Sequence, residues 1–173
     1  MENLIPKISL KNLLSIDKNS LEVLSNALKN HGFFIITDHN ISHELFKNSY
    51  EFSEKFFKLD SSIKNKYSFR ENAGARGYTP FGKETALGET VPDLKEFWHH
   101  GPVIDDTFDH RIMKNIQVNE VDKFNEIFDQ LFMEMNNLGS ILLKSISLTL
   151  DLPPDFFTKS TSKGNSLLRL IHY

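Results

Sequence analysis

The chain contains no cysteine, which excludes disulfides, thiolate metal sites and cysteine nucleophiles together. It also has little net charge, -3 at pH 7 with a pI near 6.2, and so no basic footprint for nucleic acid or an anionic membrane. No apolar run approaches membrane-spanning length, and the opening MENLIPKISL lacks the apolar core of a signal peptide. A cytoplasmic location is the expectation. There is no G-x-S-x-G, P-loop or dinucleotide fingerprint, and no internal repeat, low-complexity segment or interdomain linker. What remains is an ordinary globular composition over 173 residues, read as one domain (1–173) long enough to bury a core.

The scarce residues are concentrated in one place. Arg76 to Gly101 holds four of the eight glycines, two of the six prolines and the single tryptophan. Gly77-Tyr78-Thr79 and Glu96-Phe97-Trp98-His99 have strand composition, and Pro80, Gly82, Gly88 and Pro92 punctuate a loop between them. A long loop of this kind lines or covers something.

Helix and strand signals flank that stretch. Ile5 to Leu10 alternates as a short strand. Asp17 or Asn19 caps a helix with Leu21, Leu24, Ala27 and Leu28 on its buried stripe, ended by Gly32. Phe33 to Thr37 is an unbroken apolar run, which predicts a strand covered on both faces. Ser42 caps a second helix whose Leu45, Phe46, Ser49, Phe52, Phe56 and Phe57 read as core. Asp60 or Ser61 opens a short helical piece ending near Tyr67, and Asn72-Ala73-Gly74 leads into the central stretch. The acidic passage after Gly101 lacks calcium-loop spacing and reads as a solvated loop. Asn119 opens the longest helix, with Val121, Phe124, Ile127, Phe128, Leu131, Met135, Leu138, Leu142 and Ile146 along one side, ending before Pro153-Pro154. Gly139 within it marks a close helix contact or a slight kink. A helical turn over Asp155 to Thr158, a loop at Thr161 to Asn165 and a strand at Leu167 to Tyr173 complete the chain.

The order G-Y, P-x-G-x-E, P-D-x-K-E-x-[FW]-x-x-G, carried by Gly77, Tyr78, Pro80, Gly82, Glu84, Pro92, Asp93, Lys95, Glu96, Phe97 and Gly101, resembles the N-terminal region of the isopenicillin-N-synthase-like non-haem iron oxygenases. Ile5-Pro6-Lys7-Ile8 resembles the family's opening I-P-x-I-D, with Ser9 in place of Asp. Gly32-Phe33-Phe34 and Asp38-His39-Asn40 resemble its G-F-F and N-H-G, with Asn40 in place of the glycine. Leu168-Arg169-Leu170-Ile171-His172-Tyr173 resembles the L-R-[LVI]-x-x-[YF] strand that leads into its iron-binding core.

The resemblance implies a mixed α+β fold: an N-terminal helical region plus strands that extend a double-stranded β-helix (jelly-roll), the jelly-roll core itself lying outside the chain. It implies an oxidoreductase that uses Fe(II), 2-oxoglutarate and dioxygen to oxidise a small-molecule substrate. Such a centre takes two histidines and a carboxylate, and the family supplies the first pair as H-x-[DE]. None of the seven histidines is followed by Asp or Glu at that spacing, and none of Arg70, Arg76, Arg111 and Arg169 begins the family's R-x-S co-substrate clamp. The expectation is therefore that neither iron nor 2-oxoglutarate binds this chain alone and that the chain alone is inactive. The alternative is a non-catalytic half-module that pairs with a separately encoded jelly-roll half or self-associates, without nucleic acid or membrane as partner.

His39 and His43 straddle a turn, and the adjacent His99 and His100 face opposite sides of a strand, so neither pair is expected to chelate. Candidate substrate contacts are Arg76 through its guanidinium, and Tyr78 and Tyr173 through their hydroxyls. For Arg76 the alternative is a surface arginine. For the tyrosines it is packing. His172 is a further candidate for the pocket face. Lys95 and Glu96 are read as an ion pair holding the loop, with no acid-base role.

Overall fold

The computed structural model describes residues 5–69, 74–85, 88 and 90–173. The opening Met1 to Leu4, Arg70, the Asn72-Ala73 approach to the central stretch, and Ala86, Leu87 and Glu89 within its loop lie outside the described residues. The chain forms two compact units, Met1–Ile41 with Glu134–Ser162, and Ser42–Met133 with Lys163–Tyr173.

In the first unit, β1 (Lys7–Ser9) runs straight into the short helix α1 (Leu10–Leu14), and α2 (Lys18–Asn30) follows. Asp17 opens α2 as the sequence requires, its carboxylate accepting the Ser20 N–H at 2.8 Å. Gly32, at φ +76°, closes it with its N–H on the Ala27 carbonyl. β2 (Ile35–Thr37) pairs in parallel with β1, Ile8 opposite Ile36. Ile8, Leu13 and Leu24 form the core here, with Leu21, Leu28, Phe34, Ile36, Leu142 and Ile146 packed against them.

The Phe33–Thr37 run is not covered on both faces. Phe34 and Ile36 turn to the core, whereas Phe33 is 56% exposed and Ile35 lies on the same open side. The period of two along the backbone separates them, and β1 is the one strand paired with β2 among the described residues. Asn40 takes φ +58°, the left-handed turn that the resemblance assigns to a glycine.

The second unit begins at Ser42, whose hydroxyl accepts from the N–H groups of Glu44 and Leu45 and starts α3 (His43–Phe57). Ser42→Ala is expected to cost about 1 kcal/mol, read as a lowered urea midpoint with an unchanged slope. α4 (Ser61–Lys64) and a 3-10 turn (Asn65–Tyr67) lead to β3 (Gly77–Thr79). β3, β4 (Glu96–His100) and β5 (Leu168–His172) form an antiparallel sheet in that order, with Tyr78 opposite Trp98 and His99 opposite Arg169. Beneath it Phe56 meets the rings of Phe57, Tyr67, Tyr78, Trp98 and Phe124 at centroid distances of 5.0–6.0 Å. All five pairs are edge-on or tilted, as ring quadrupoles favour.

The longest helix, α5 (Phe124–Thr149), begins later than the capping signal at Asn119 suggests. The preceding backbone is claimed by side chains instead. Asn125 bonds both the Val118 N–H and the Ile116 carbonyl, Tyr67 accepts from the Asn119 N–H, and Lys123 adopts φ +61°. Phe124, Phe128 and Leu131 of its stripe are buried, but Met135 is exposed. Among the described residues, nothing outside the local helix backbone lies within 4 Å of a Cβ built on Gly139, so that glycine marks no close contact among them. At the end of the first unit the Thr158 N–H bonds the Asp155 carbonyl in the expected turn, and α6 (Thr158–Thr161) takes in the residue expected to open the loop.

The architecture is thus mixed α and β with two small sheets. No helix among the described residues is long and apolar enough to cross a membrane.

Candidate functional site

β4 sends alternate side chains to two polar systems on opposite faces of its sheet. On one face is Glu96, 1% exposed. Its carboxylate receives Lys64 Nζ at 2.7 and 2.9 Å, His172 Nδ1 at 2.9 Å, and the Tyr78 hydroxyl. Lys64 also donates to the Phe57 carbonyl, and His172 stacks on the Phe57 ring. Burial alone would raise the carboxyl's pKa, but the hydrogen bonds from Lys64, Tyr78 and His172 outweigh it and hold the group below its ordinary value. Burial and the neighbouring carboxylate push the Tyr78 hydroxyl up, so it stays a donor.

Further along this face, His100 is fully buried and bonds Asp129 Oδ1 through Nε2 at 2.6 Å. Asn115 Nδ2 donates to the Gly101 carbonyl and to Asp129, and Asn115 Oδ1 accepts the Gly101 N–H. The Lys95–Glu96 pair is not formed, because neighbours on a strand point apart. Lys95 instead bonds Glu84 at 2.6 Å and Asp93 at 2.8 Å, closing the loop before β4.

Phe97 and His99 lie on the other face. His99 Nδ1 meets the Gly74 carbonyl at 2.5 Å, and its Nε2 accepts from Arg169 Nε at 2.6 Å. Both partners require the neutral ring protonated at Nδ1. Burial lowers the His99 pKa, and the nearby Arg169 and Arg76 add to that. The Arg169 guanidinium also lies 4.5 Å over the Phe97 ring. These residues line an open cavity of about 540 Å³, together with Phe69, Tyr78, Lys83 and Glu84 among others, a size suited to small-molecule ligands.

Of the three candidate contacts, the structure brings Tyr78 to this cavity. Its side chain belongs to the opposite face, however: Tyr78 lies across from Trp98, its ring packs on Phe56 and its hydroxyl is held by Glu96. Arg76 is 1% exposed, which removes the surface-arginine alternative. It donates to the Ala75 carbonyl and to Asn165 Oδ1, and lies against Gly101. A Cβ at residue 101 would collide with the guanidinium, so Gly101→Ala is expected to cost about 1–3 kcal/mol by overpacking, measured by urea denaturation. Tyr173 is 82% exposed beyond the end of β5 and does not line the cavity. His172 faces Glu96, not the cavity.

Lys64, Asp129, Asn115 and the cavity role of Arg169 carry no local signal that singles them out in the sequence. Lys64 leaves one trace: it lies three residues before Tyr67 and seven after Phe57, both core positions.

The fold is a mixed α and β module whose three-stranded sheet borders a cavity, and comparison with known proteins gives its family. Residues 5–122 match the family model described as "non-haem dioxygenase in morphine synthesis N-terminal". The 2-oxoglutarate-dependent dioxygenase frbA of a Dothideomycetidae species is 28% identical over 164 residues, 88% of this chain and 48% of that protein. A putative 2OG-Fe(II) oxygenase family protein from Caulobacter crescentus superposes with a TM-score of 0.86 at 30% identity, covering 98% of this chain and 56% of the other. A full-length protein of Neurospora crassa, solved in complex with alpha-KG, shares the fold with a TM-score of 0.80 at 22% identity, over all of this chain and 56% of its own. The chain belongs to the family of non-haem dioxygenase N-terminal regions. It spans about half the length of the curated relatives it matches.

The residues described do not fit an iron centre. His99 is bonded to a guanidinium, His100 and His172 are each engaged by a carboxylate, and no group of three His, Asp or Glu side chains converges among the described residues.

Proposed function

We propose that this chain is the N-terminal part of an oxidoreductase that uses Fe(II), 2-oxoglutarate and dioxygen to oxidise a small molecule. The iron ligands and the co-substrate clamp would come from a jelly-roll outside these residues. The observation that carries the proposal is the family match over residues 5–122, joined to a sequence with no H-x-[DE] pair and no R-x-S. In this reading 1–173 is one functional part. β3, β4 and β5 extend the jelly-roll sheet, and the face bearing Phe97, His99 and Arg169 forms one wall of the substrate pocket. Arg76 anchors the entry to β3, Tyr78 braces the sheet from its opposite face through Glu96, and Tyr173 contributes its hydroxyl to a ligand held by further chain. The protein orients substrate, and the bound iron supplies the oxygen chemistry.

The test is to read the coding DNA past the codon for Tyr173. The proposal expects the frame to continue through H-x-D, a later histidine and R-x-S. A stop codon there would instead favour a half-module that pairs with a separate catalytic half or with itself. One observation supports that second reading. β5 is paired on one side among the described residues, and its exposed side chains include Ile171. Such an edge seeks a partner strand, and size-exclusion chromatography of the chain would show a heteromer or homomer.

A further inference from the structure

The cavity beside β4 carries a charge pattern that the family match does not explain. Arg169 commits its Nε to His99 and its flat face to Phe97. That leaves the two terminal nitrogens of the guanidinium, one of them loosely placed 3.7 Å from Glu84. Glu84 is itself held at 2.6 Å by Lys95, so it neutralises Arg169 incompletely. Lys83 adds a second cation to the lining. The rest of the wall includes the aromatic residues Phe69 and Phe97. A guanidinium fixed by a ring beneath it and a histidine at its Nε is pre-organised to grip a carboxylate end-on with two parallel N–H bonds.

We propose that this cavity binds an aromatic monocarboxylate, its carboxylate on the terminal nitrogens of Arg169 and its ring against the aromatic wall. His99 is the positioning residue: as a neutral acceptor it fixes the guanidinium's rotation without competing for the anion. The proposal rests on the oxygenase reading only in calling this ligand the substrate. The binding itself belongs to the described residues and needs no iron.

The test is titration of the ¹⁵N-labelled chain with 3-phenylpropionate, with 3-phenylpropionamide as the neutral isostere, and with 2-oxoglutarate. The expected result is movement of the Gly74, Lys83, Phe97 and His99 amides, with the acid bound at least about tenfold more tightly than the amide, the usual worth of a charge-assisted hydrogen bond. Arg169→Gln should abolish that preference while 3-phenylpropionamide still moves the same amides, and Arg169→Lys should retain part of it. Should Arg169→Gln fail to fold, Lys83→Glu at an exposed position carries the test through a several-fold fall in the acid's advantage. Equal binding of acid and amide, shifts away from the cavity, or a preference that survives both Arg169→Gln and Lys83→Glu would overturn the proposal. Tighter binding of 2-oxoglutarate than of 3-phenylpropionate would overturn its aromatic part. Failure here removes the carboxylate site and leaves the oxygenase reading. A longer reading frame without iron ligands would remove that reading and leave the site.

Discussion

Replacing Lys64 by methionine is expected to destabilise the chain by about 3–5 kcal/mol, the cost of leaving one partner of a buried ion pair uncompensated. Lys64 and Glu96 are each almost fully buried and share two short contacts. Methionine keeps the length of the stem but none of its three donors. The double variant Lys64→Met with Glu96→Leu should be less damaged than Lys64→Met alone, because it removes the stranded carboxylate as well.

The pH dependence follows from the same group. Glu96 titrates below its ordinary 4.5 in the folded chain. Its contribution is therefore present above pH 4.5 and is lost as the pH falls through the lower folded value. Without Lys64, burial is opposed by less, so the penalty of Lys64→Met should shrink on acidification from about pH 7 to about pH 4. Urea denaturation across that range checks both signs. A penalty independent of pH would show that Glu96 is not the group left unpaired.

Trp98→Ala is expected to cost a similar amount, about 3–5 kcal/mol, by the loss of a large buried ring and the cavity it leaves. Trp98 is 0% exposed and packs on Phe56 at 5.0 Å, Phe124 at 5.2 Å and Tyr67 at 6.0 Å. Its indole N–H has no partner among the described residues, so the contribution is packing. Trp98→Phe should accordingly cost less than Trp98→Ala. The readout is the urea midpoint, with loss of near-ultraviolet dichroism from the aromatic cluster.

These two residues also mark where the sequence is and is not legible. Trp98 lies in a stretch whose strand composition and flanking glycines locate β3 and β4, and the caps at Asp17 and Ser42 set the starts of α2 and α3. Those signals are local, so a single sequence carries them. Lys64 bonds a residue 32 positions away, and Arg169 bonds one 70 positions away. Such partners meet only through the register of β4 with its neighbours, which no local pattern encodes. The late start of α5 has the same origin, since Tyr67 reaches the Asn119 N–H from 52 residues off. Adjacency suggests a pair of Lys95 and Glu96, although the alternation of a strand sends them to opposite sides. For Arg76, nothing local shows that Gly101, across the sheet connection, leaves room for a buried guanidinium.

We propose that this chain supplies a pocket wall and that further residues carry the oxygen chemistry. The decisive assay incubates the purified chain with Fe(II), 2-oxoglutarate and dioxygen and measures succinate. Succinate should be no higher than in the absence of protein, at every concentration of chain. Succinate rising in proportion to the chain, and abolished by a chelator, would place the chemistry in these residues instead.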